Sequence, residues 1–450
     1  DRVVADLGVL KIYPRATING RTLEFVMGNS ANERFGAMGN WTRMGFVDHD
    51  LAKDPEIFVS TVVNNRADRV PRSRVFARIL VEDVAADQHV LIGSNIDGLV
   101  GFIEESWRDY AAKLTLYGDP DRSPGEVFAG LARHQRIPLD QDQLAGRLSA
   151  MLAAHSDKIS TAEAMTAAKS DRLAAALEGA GVPNAAATAA YFSDQQILQR
   201  EYAALAARIG SGGEQAALDA EVRALLRKCF MAKLIPVREY YTPGEDLIRL
   251  IAEKSPPGLI NRIMGMQNIK GTGLDFVYRW QAWEACHRAC QQALETDPAQ
   301  IRRGLDLLGA FQEYGALSDG PVRETVAALK ARGGTDEAGL DAILTRLDAQ
   351  MAALSKESAG ENAGGGGGKL GQWVESFLDS TDAVRRRRAA DKIYRELIAE
   401  QISSQRAAYE LKKLTARQKG GWLGPSLMSL GESMRALLPW IARDSAKKLN

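Results

Sequence analysis

Three apolar runs punctuate the opening stretch of the chain: RTLEFVMG at 21–28, IFVSTVVNN at 57–65 and QHVLIGSN at 88–95. Each is rich in β-branched residues and closes on Gly or Asn, as a strand buried on both faces does before its loop. Between the second and third, VPRSRVFARILVEDV at 70–84 has helical spacing. Far downstream, LINRIMGMQNIKGTG at 259–273 reads as a fourth strand with a glycine-bearing turn. DFVYRWQAWEACHRACQQAL follows it as a helix. Alternating strand and helix predict an α/β fold with a parallel sheet.

A different pattern fills the rest. From about residue 100 to about 240 the chain turns rich in Ala, Leu, Gln and Arg, which favour helix. QLAGRLSAMLAAH and EQAALDAEVRALLRKCFMAKL show apolar positions at i, i+3 and i+4. VPNAAATAAY and IGSGGEQ read as turns between helices. Two flanking segments echo one another, Ser123-Pro124-Gly125-Glu126 and Thr242-Pro243-Gly244-Glu245. Each reads as an N-cap, a Pro at the first helical position and an acidic first turn. DPAQIRRGLDLLGAF and EAGLDAILTRLDAQMAAL continue the helical pattern, and five glycines at 364–368 mark a flexible linker. The expected organisation is an α/β lobe at 1–100, a helical insertion at 101–240 and the last strand and helix of the lobe at 241–295. A helical extension at 296–360, a linker at 361–372 and a helical tail at 373–450 follow.

Composition narrows the classes. The 450 residues suffice for two or three domains, and 45% hydrophobic with 25% charged residues is ordinary for a globular protein. Lys+Arg and Asp+Glu both total 57, so bulk charge supplies no attraction to nucleic acid, and no nucleic-acid partner is expected. Three cysteines, Cys229, Cys286 and Cys290, make no disulfide framework and point to a reducing, cytoplasmic setting. Cys286 and Cys290 lie one helical turn apart, either half a metal site or small buried thiols, and no second ligand pair accompanies them. No apolar run is long enough to span a membrane. The chain opens at DRVVADLGVLKIY without Met, so a preceding segment is expected.

The chemistry concentrates at strand ends, where an open α/β sheet presents its ligand site. Asn64 and Asn65 close the second run and lead into Arg66, Asp68 and Arg69. Arginine forks suit carboxylate or phosphate, and Asp68 is placed to orient one of them. The same residues also read as an ion-pair cluster opening the next helix, with Asp68 as its cap. After the fourth strand, Asn268, Lys270 and Gly271 combine polar groups with close backbone approach, or serve a plain glycine turn. Asn29 and Asn32 follow the first run, again as ligand contacts or as turn residues. No G-x-x-x-x-G-K-[ST] phosphate loop occurs anywhere. His49, among acids in FVDHDLAKDP, reads as a general base or as a solvated loop histidine. The arginines at 385–388 suit an acidic partner, lipid headgroups or a solvated helix face. The tail around Trp422 and Trp440 suits a membrane interface or a packed helix.

Taken in order, these turns resemble the C-terminal half of the ligase subunit of poly-γ-glutamate synthase, a Mur-ligase relative. The carriers are Gly28 through Asn32, then Asn64-Asn65-Arg66-Ala67-Asp68-Arg69-Val70 with Arg72 and Phe76, then Leu91-Ile92-Gly93. Asn261-Arg262-Ile263, Gly265 and Asn268-Ile269-Lys270-Gly271 complete the set, after the TPGEDLIRLIAEK helix. The resemblance spans about 5–95 and 240–285; the helical insertion and everything beyond about 295 are without counterpart in it. It implies a Rossmann-like closing lobe of an ATP-dependent amide ligase that joins amino acids through an acyl-phosphate. It further implies ATP and Mg bound mainly outside this chain, an N-terminal ATPase part, a small integral-membrane partner and an amino-acid or polyamide substrate. Asn29, Asn32, Asn64, Asn65, Arg66, Asp68, Arg69, Asn268, Lys270 and Gly271 would then contact the substrate or acyl-phosphate, at the inner face of the membrane. The competing expectation is a non-catalytic scaffold, in which the helices bind partners and the lobe is a relic.

Overall fold

The structure is a computed structural model. It describes residues 10–29, 31, 33–239, 241–310, 315–333, 336–355, 389–390, 392–397 and 402–416. Asp1–Ala363 form one compact unit and Gly364–Asn450 a second.

A seven-stranded sheet organises the first unit. Its spine is β4 (Ile57–Asn65), buried at all nine positions, as its unbroken run of Ile, Phe and Val requires. Three strands precede it: β1 (Lys11–Ile12), β2 (Ala16–Ile18) and β3 (Arg21–Met27). Three follow: β5 (Gln88–Gly93), β6 (Leu234–Pro236) and β7 (Ile260–Gln267). The order across the sheet is β1-β3-β7-β4-β5-β6, with β2 also on β3. From β3 to β6 all neighbours are parallel, as expected. The far-downstream β7 therefore threads the centre, with Ile260 facing Thr22 on one side and Ile57 on the other.

Two features depart from expectation. The first run is not simply a parallel strand, because β2 and β3 form an antiparallel hairpin across Asn19-Gly20. Both turn residues have positive φ, 50° and 74°, the geometry a two-residue hairpin needs to match strand twist. Second, the stretch read as helical up to 240 ends in the edge strand β6. A proline is tolerated there because an edge position needs no N–H on its outer side.

Alternation along the strands builds two cores. Val59, Val63, Leu91, Met264 and Met266 face α1 (Arg34–Arg43), α2 (Val70–Glu82) and α3 (Ile96–Lys113). Phe25, Met27, Val62, Val90, Ile92 and Ile263 face the opposite layer. That layer comprises α10 (Gly244–Lys254), α11 (Thr272–Ala293), α12 (Pro298–Ala310), α13 (Gly320–Arg332) and α14 (Glu337–Ser355). Phe25 meets Phe276 edge-on at 4.8 Å and lies 5.6 Å from Trp280, so α11 is locked to the sheet by aromatic packing. Cys286 and Cys290 are buried in this core as small thiols, and among the described residues no group of potential ligands accompanies them.

The insertion comprises α4 (Pro124–His134), α5 (Gln141–Leu152), α6 (Thr161–Lys169), α7 (Leu173–Gly179), α8 (Ala185–Ser211) and α9 (Gln215–Ala232). The expected turn at 182–191 is shorter than its composition suggested, since α8 already starts at Ala185 after the left-handed Asn184. Of the two echoing segments, only the first has the expected cap. Ser123 and Glu126 form a reciprocal capping box at α4. At α10 the start slips by one residue and Pro243 takes the N-cap position, while the N–H of Thr242 donates to Thr272 Oγ1 at 3.1 Å.

What fastens the insertion to the sheet is a buried charge cluster at the amino ends of β4 and β5. Asp87 accepts from the Val59 N–H and from Arg136 Nε, both at 2.7 Å, with Arg147 Nη2 at 3.6 Å. Arg147 donates to the carbonyls of Pro55 and Ile57 at 2.7 Å, and Arg136 to that of Ile57 at 2.9 Å. His49 belongs to this end as well. It is half-buried beside Asp54 and Arg262, not the solvated loop histidine that was one of its readings, because Phe46 and Arg262 close over it. Burial and the neighbouring arginines hold its pKa below the ordinary value.

In the second unit, α15 (Ser404–Ala416) contributes Ala407 to a small cluster with Ile393 and Ile402. The glycine run at 364–368, the arginines at 385–388 and the tail with Trp422 and Trp440 lie outside the described residues. Among the described residues no helix is long and apolar enough to cross a membrane.

Two outcomes follow from the buried charges. Asp87→Ala should cost about 3–5 kcal/mol in urea unfolding, because it leaves two buried guanidinium groups uncompensated; a loss near zero would show that the backbone carbonyls alone hold them. His89 and His134, where insertion meets sheet, are held neutral by burial and by the charge on Lys233. Their pKa values fall from 6.5 to about 3 and about 4. Both values lie below the unfolded one, so this stability is full above 6.5 and drains as pH falls toward 4 and then 3. The urea midpoint should drop between about pH 7 and about pH 5, and replacing both histidines by Gln should flatten that slope.

Candidate functional site

Parallel pairing brings the carboxyl ends of β3, β7, β4 and β5 to one edge. At the centre of that edge the chain reverses its choice of face. The helix after β4, α2, joins one core through Phe76, and the helix after β7, α11, joins the other through Phe276. Neighbouring strands whose loops part in opposite directions leave a crevice, the usual place for a ligand in an open α/β sheet.

Asparagines line the crevice. Asn64 Nδ2 donates to the carbonyls of Asn268 and Lys270 at 3.0 and 2.7 Å, and Asn268 Nδ2 returns a bond to the Asn64 carbonyl at 3.1 Å. Asn29 Nδ2 spans from β3 to the carbonyls of Met266 and Asn268 at 3.1 and 3.0 Å. On the other side, Asn65 Nδ2 reaches the carbonyls of Ser94 and Asn95 at 2.8 and 3.3 Å. Its Oδ1 accepts from Ser73 Oγ at 2.6 Å and Gln267 Nε2 at 3.1 Å. All four asparagines are buried. The reason is local: where β7 stops pairing, its carbonyls lose their ladder partners inside the protein and need other donors.

Two glycines make room. A Cβ on Gly273 would stand 2.3 Å from Asn64 Nδ2, and one on Gly265 2.2 Å from Asn29 Oδ1. Gln267 adopts φ 76°, a left-handed conformation costly for a side-chain-bearing residue, and this turns the chain into the Asn268–Gly271 loop.

Outside the asparagines lies a basic rim. Arg66 grips Asp68 through Nε and Nη2 at 2.9 and 2.6 Å, and Arg69 approaches the same carboxylate at 3.7 Å. That grip holds the Asp68 carboxyl below its ordinary range. Arg72 Nη1 donates to Asn268 Oδ1 at 2.7 Å, and Lys270 is exposed. Partial burial, then the charges of Arg69 and Arg66, lower the Arg72 pKa; the guanidinium stays charged. Three helices also begin at this edge, and neither Arg69, Asn95 nor Gly271 caps its helix with a side chain. The reading of Asp68 as the cap of α2 is thereby replaced: Arg69 holds that position and Asp68 turns to Arg66. Helix dipoles and the four cations Arg66, Arg69, Arg72 and Lys270 outweigh Asp68 and the first-turn acids Asp97 and Asp275, so the rim is electropositive.

Residues 12–166 match the family model of the poly-gamma-glutamate synthase CapB C-terminal domain. This is the family the NNRADR turn resembles. Comparison with curated proteins and with solved structures gave no match. The matched residues run from β1 into α6, past the end expected at about 95, so α3, α4 and α5 fall within the CapB match and not outside it. The β7–α11 turn lies beyond the matched residues, although the fold places it at the centre of the crevice.

Of the residues expected at the site, Asn29, Asn64, Asn65, Asn268 and Gly271 form its braced floor, and Arg66, Asp68, Arg69 and Lys270 its rim. Asn32 lies outside the described residues. His49 sits at the amino end of the sheet, with Arg136 donating to its carbonyl at 3.2 Å. Ser73, Ser94 and Gln267 went unnoticed in the sequence. Ser94 had a visible signal: it follows Gly93 at a strand end as Asn29 follows Gly28, and its Oγ accepts from the Ala67 N–H at 2.9 Å.

Removing the central brace tests this account. Asn64→Ala strips the donor from the buried Asn268 carbonyl and the half-buried Lys270 carbonyl and should cost about 1–3 kcal/mol. Amide hydrogen exchange should accelerate selectively at 267–273; unchanged protection there would show that the loop stands without the asparagine.

Proposed function

We propose that this chain supplies the closing lobe of an ATP-dependent amide ligase that extends a polyamide of the poly-γ-glutamate type. The family match supports a role in poly-gamma-glutamate synthesis, and a C-terminal domain of that synthase implies an N-terminal part as partner. The observation that carries the finer reading is the electropositive rim of Arg66, Arg69, Arg72 and Lys270, in which Arg72 is tied through Asn268 to the buried asparagines.

In this reading ATP, bound on the partner part, supplies the phosphoryl group that activates a carboxylate. No phosphate loop is present in this sequence, and among the described residues no cluster of three or more His, Cys, Asp or Glu side chains is placed to hold a metal ion. The rim fits contact with an anionic group and not a nucleotide cradle. Its arginines would hold the anionic reacting end as the amine nitrogen bonds to the acyl carbon and phosphate departs. Donors fixed before the reaction stabilise developing charge without reorganising. Closure of the lobe would exclude water, which otherwise hydrolyses the activated acyl group. The buried brace beneath the rim favours this reading over a relic lobe, since a surface kept only for scaffolding has no need of an arginine anchored to it.

Arg66→Ala, assayed in the synthase joined to its ATP-binding part, should lower kcat/KM for amide formation by about a hundredfold. Polymer formation at the wild-type rate, by a variant that melts like the wild type, would remove the rim from the chemistry.

A further inference from the structure

One arginine of the rim is held differently from its neighbours. Arg66 offers its Nε–Nη2 edge to Asp68, so that two parallel N–H donors are filled by one carboxylate. Arg69 turns toward that same carboxylate through Nε. Arg72 instead donates Nη1 to Asn268 Oδ1 and has no ion pair with any described residue. Its Nε–Nη2 edge makes no hydrogen bond to a described residue. That edge is the planar fork that matches two oxygens of a carboxylate or phosphoryl group.

The fork is aimed and not merely tethered. Asn268 is buried, its Nδ2 is committed to the Asn64 carbonyl, and its own carbonyl takes both Asn29 and Asn64. With its amide nitrogen fixed, the Oδ1 that receives Arg72 has a set direction. Arg72 also stands in the first turn of α2, where the helix dipole opposes a cation. Arg66 and Arg69 add like charge. A bound anion relieves all three repulsions at once, and the guanidinium loses little freedom in meeting it.

Building on the ligase reading of the rim, we propose that Arg72 is the residue that receives the ligand's two-oxygen anion. Asn268 is its positioning residue, and Asp68 is an internal occupant of the Arg66 fork, so that Arg66 acts on the bound group through its charge. The anion is a planar carboxylate or a phosphoryl group, and a titration with each separates the two sources.

The test titrates the 450-residue chain with inorganic phosphate and, separately, with L-glutamate, following heat release at low salt. At least one should bind. Arg72→Ala should weaken that binding by about tenfold or more, and Arg72→Lys should not restore it, because an ammonium lacks the fork. Asn268→Ala should weaken it in the same direction by a smaller factor, whereas Asp68→Asn should tighten it by freeing a second fork. If Arg72→Ala unfolds below the titration temperature, Arg72→Gln carries the comparison. Unchanged affinity in the Arg72 variant, or no binding of either anion by the wild-type chain, overturns the proposal. The ligase reading can fail separately: an anion lost with Arg72 keeps this assignment even where Arg66→Ala leaves polymerisation intact.

Discussion

The site depends on the exchange of hydrogen bonds between Asn64 and Asn268. Strand β7 is the last to be made and the most central, and its turn must leave toward the face opposite to its neighbour's. That geometry strands the carbonyls of Met266, Asn268 and Lys270 inside the protein. No strand remains to pair with them, so side-chain amides from β3 and β4 take over. An amide suits the task because it donates twice and accepts at the same time. Asn64 thereby ties β4 to the start of α11, and Asn268 ties the loop back to β4 and out to Arg72. Gly273 is the steric counterpart, since a methyl group there would displace Asn64 from between the two elements.

The two ends of the sheet handle charge in opposite ways. At the amino end, Asp87 is enclosed by Arg136 and Arg147, and those arginines also satisfy the carbonyls of Pro55 and Ile57. The donors there face inward, with only Arg147 Nη2 left at 3.6 Å from Asp87 without a hydrogen bond to a described residue, and the result fastens a helical layer. At the carboxyl end the arginines outnumber the acids and stand over a rigid polar floor. Burial at the first end makes a charge expensive to leave unpaired; partial exposure at the second leaves charge available to a ligand. The same residue type therefore performs fastening at one end and reception at the other, and what separates the roles is the supply of partners.

Much of the lobe was readable because the physics was local. Apolar runs ending in Gly or Asn located β3, β4, β5 and β7, and the polar turns after them located the crevice. The hairpin was also written plainly, in Asn19-Gly20, but the flanking runs are short and β2 has only three residues, so alternation alone could not reveal it. Position in the sheet was not legible. Nothing near Ile260 says that it will lie between Thr22 and Ile57, because that depends on how residues far apart in the chain fill both cores. The asparagines were recognised as important from their place at strand ends, yet their work is inward. The deciding fact is which carbonyls lack partners, and that exists only once the sheet is assembled. His49 illustrates the same limit: its acidic neighbours in sequence suggested solvent, while Arg262, far downstream, closes over it.

The rim raises a question of balance that sequence cannot pose. Arg66, Asp68 and Arg69 are near neighbours in the chain, so their pairing needs no long-range contact, and it is exposed and weak. A partner so readily lost does little for stability. What it does is hold one fork in a defined direction and lower the net charge that α2 must tolerate at its first turn. Arg72 forms no such ion pair with a described residue, and the charge of Asp68 reaches it less than those of Arg69 and Arg66. Among the described residues its anchor is a neutral oxygen contributed by a residue almost two hundred positions away. A neutral anchor fixes direction without cancelling charge, which is the arrangement a receiving group needs: an acidic anchor would occupy the fork, and no anchor would leave it to wander in solvent. The long-range placement of β7 is therefore what converts a basic turn into a directed one.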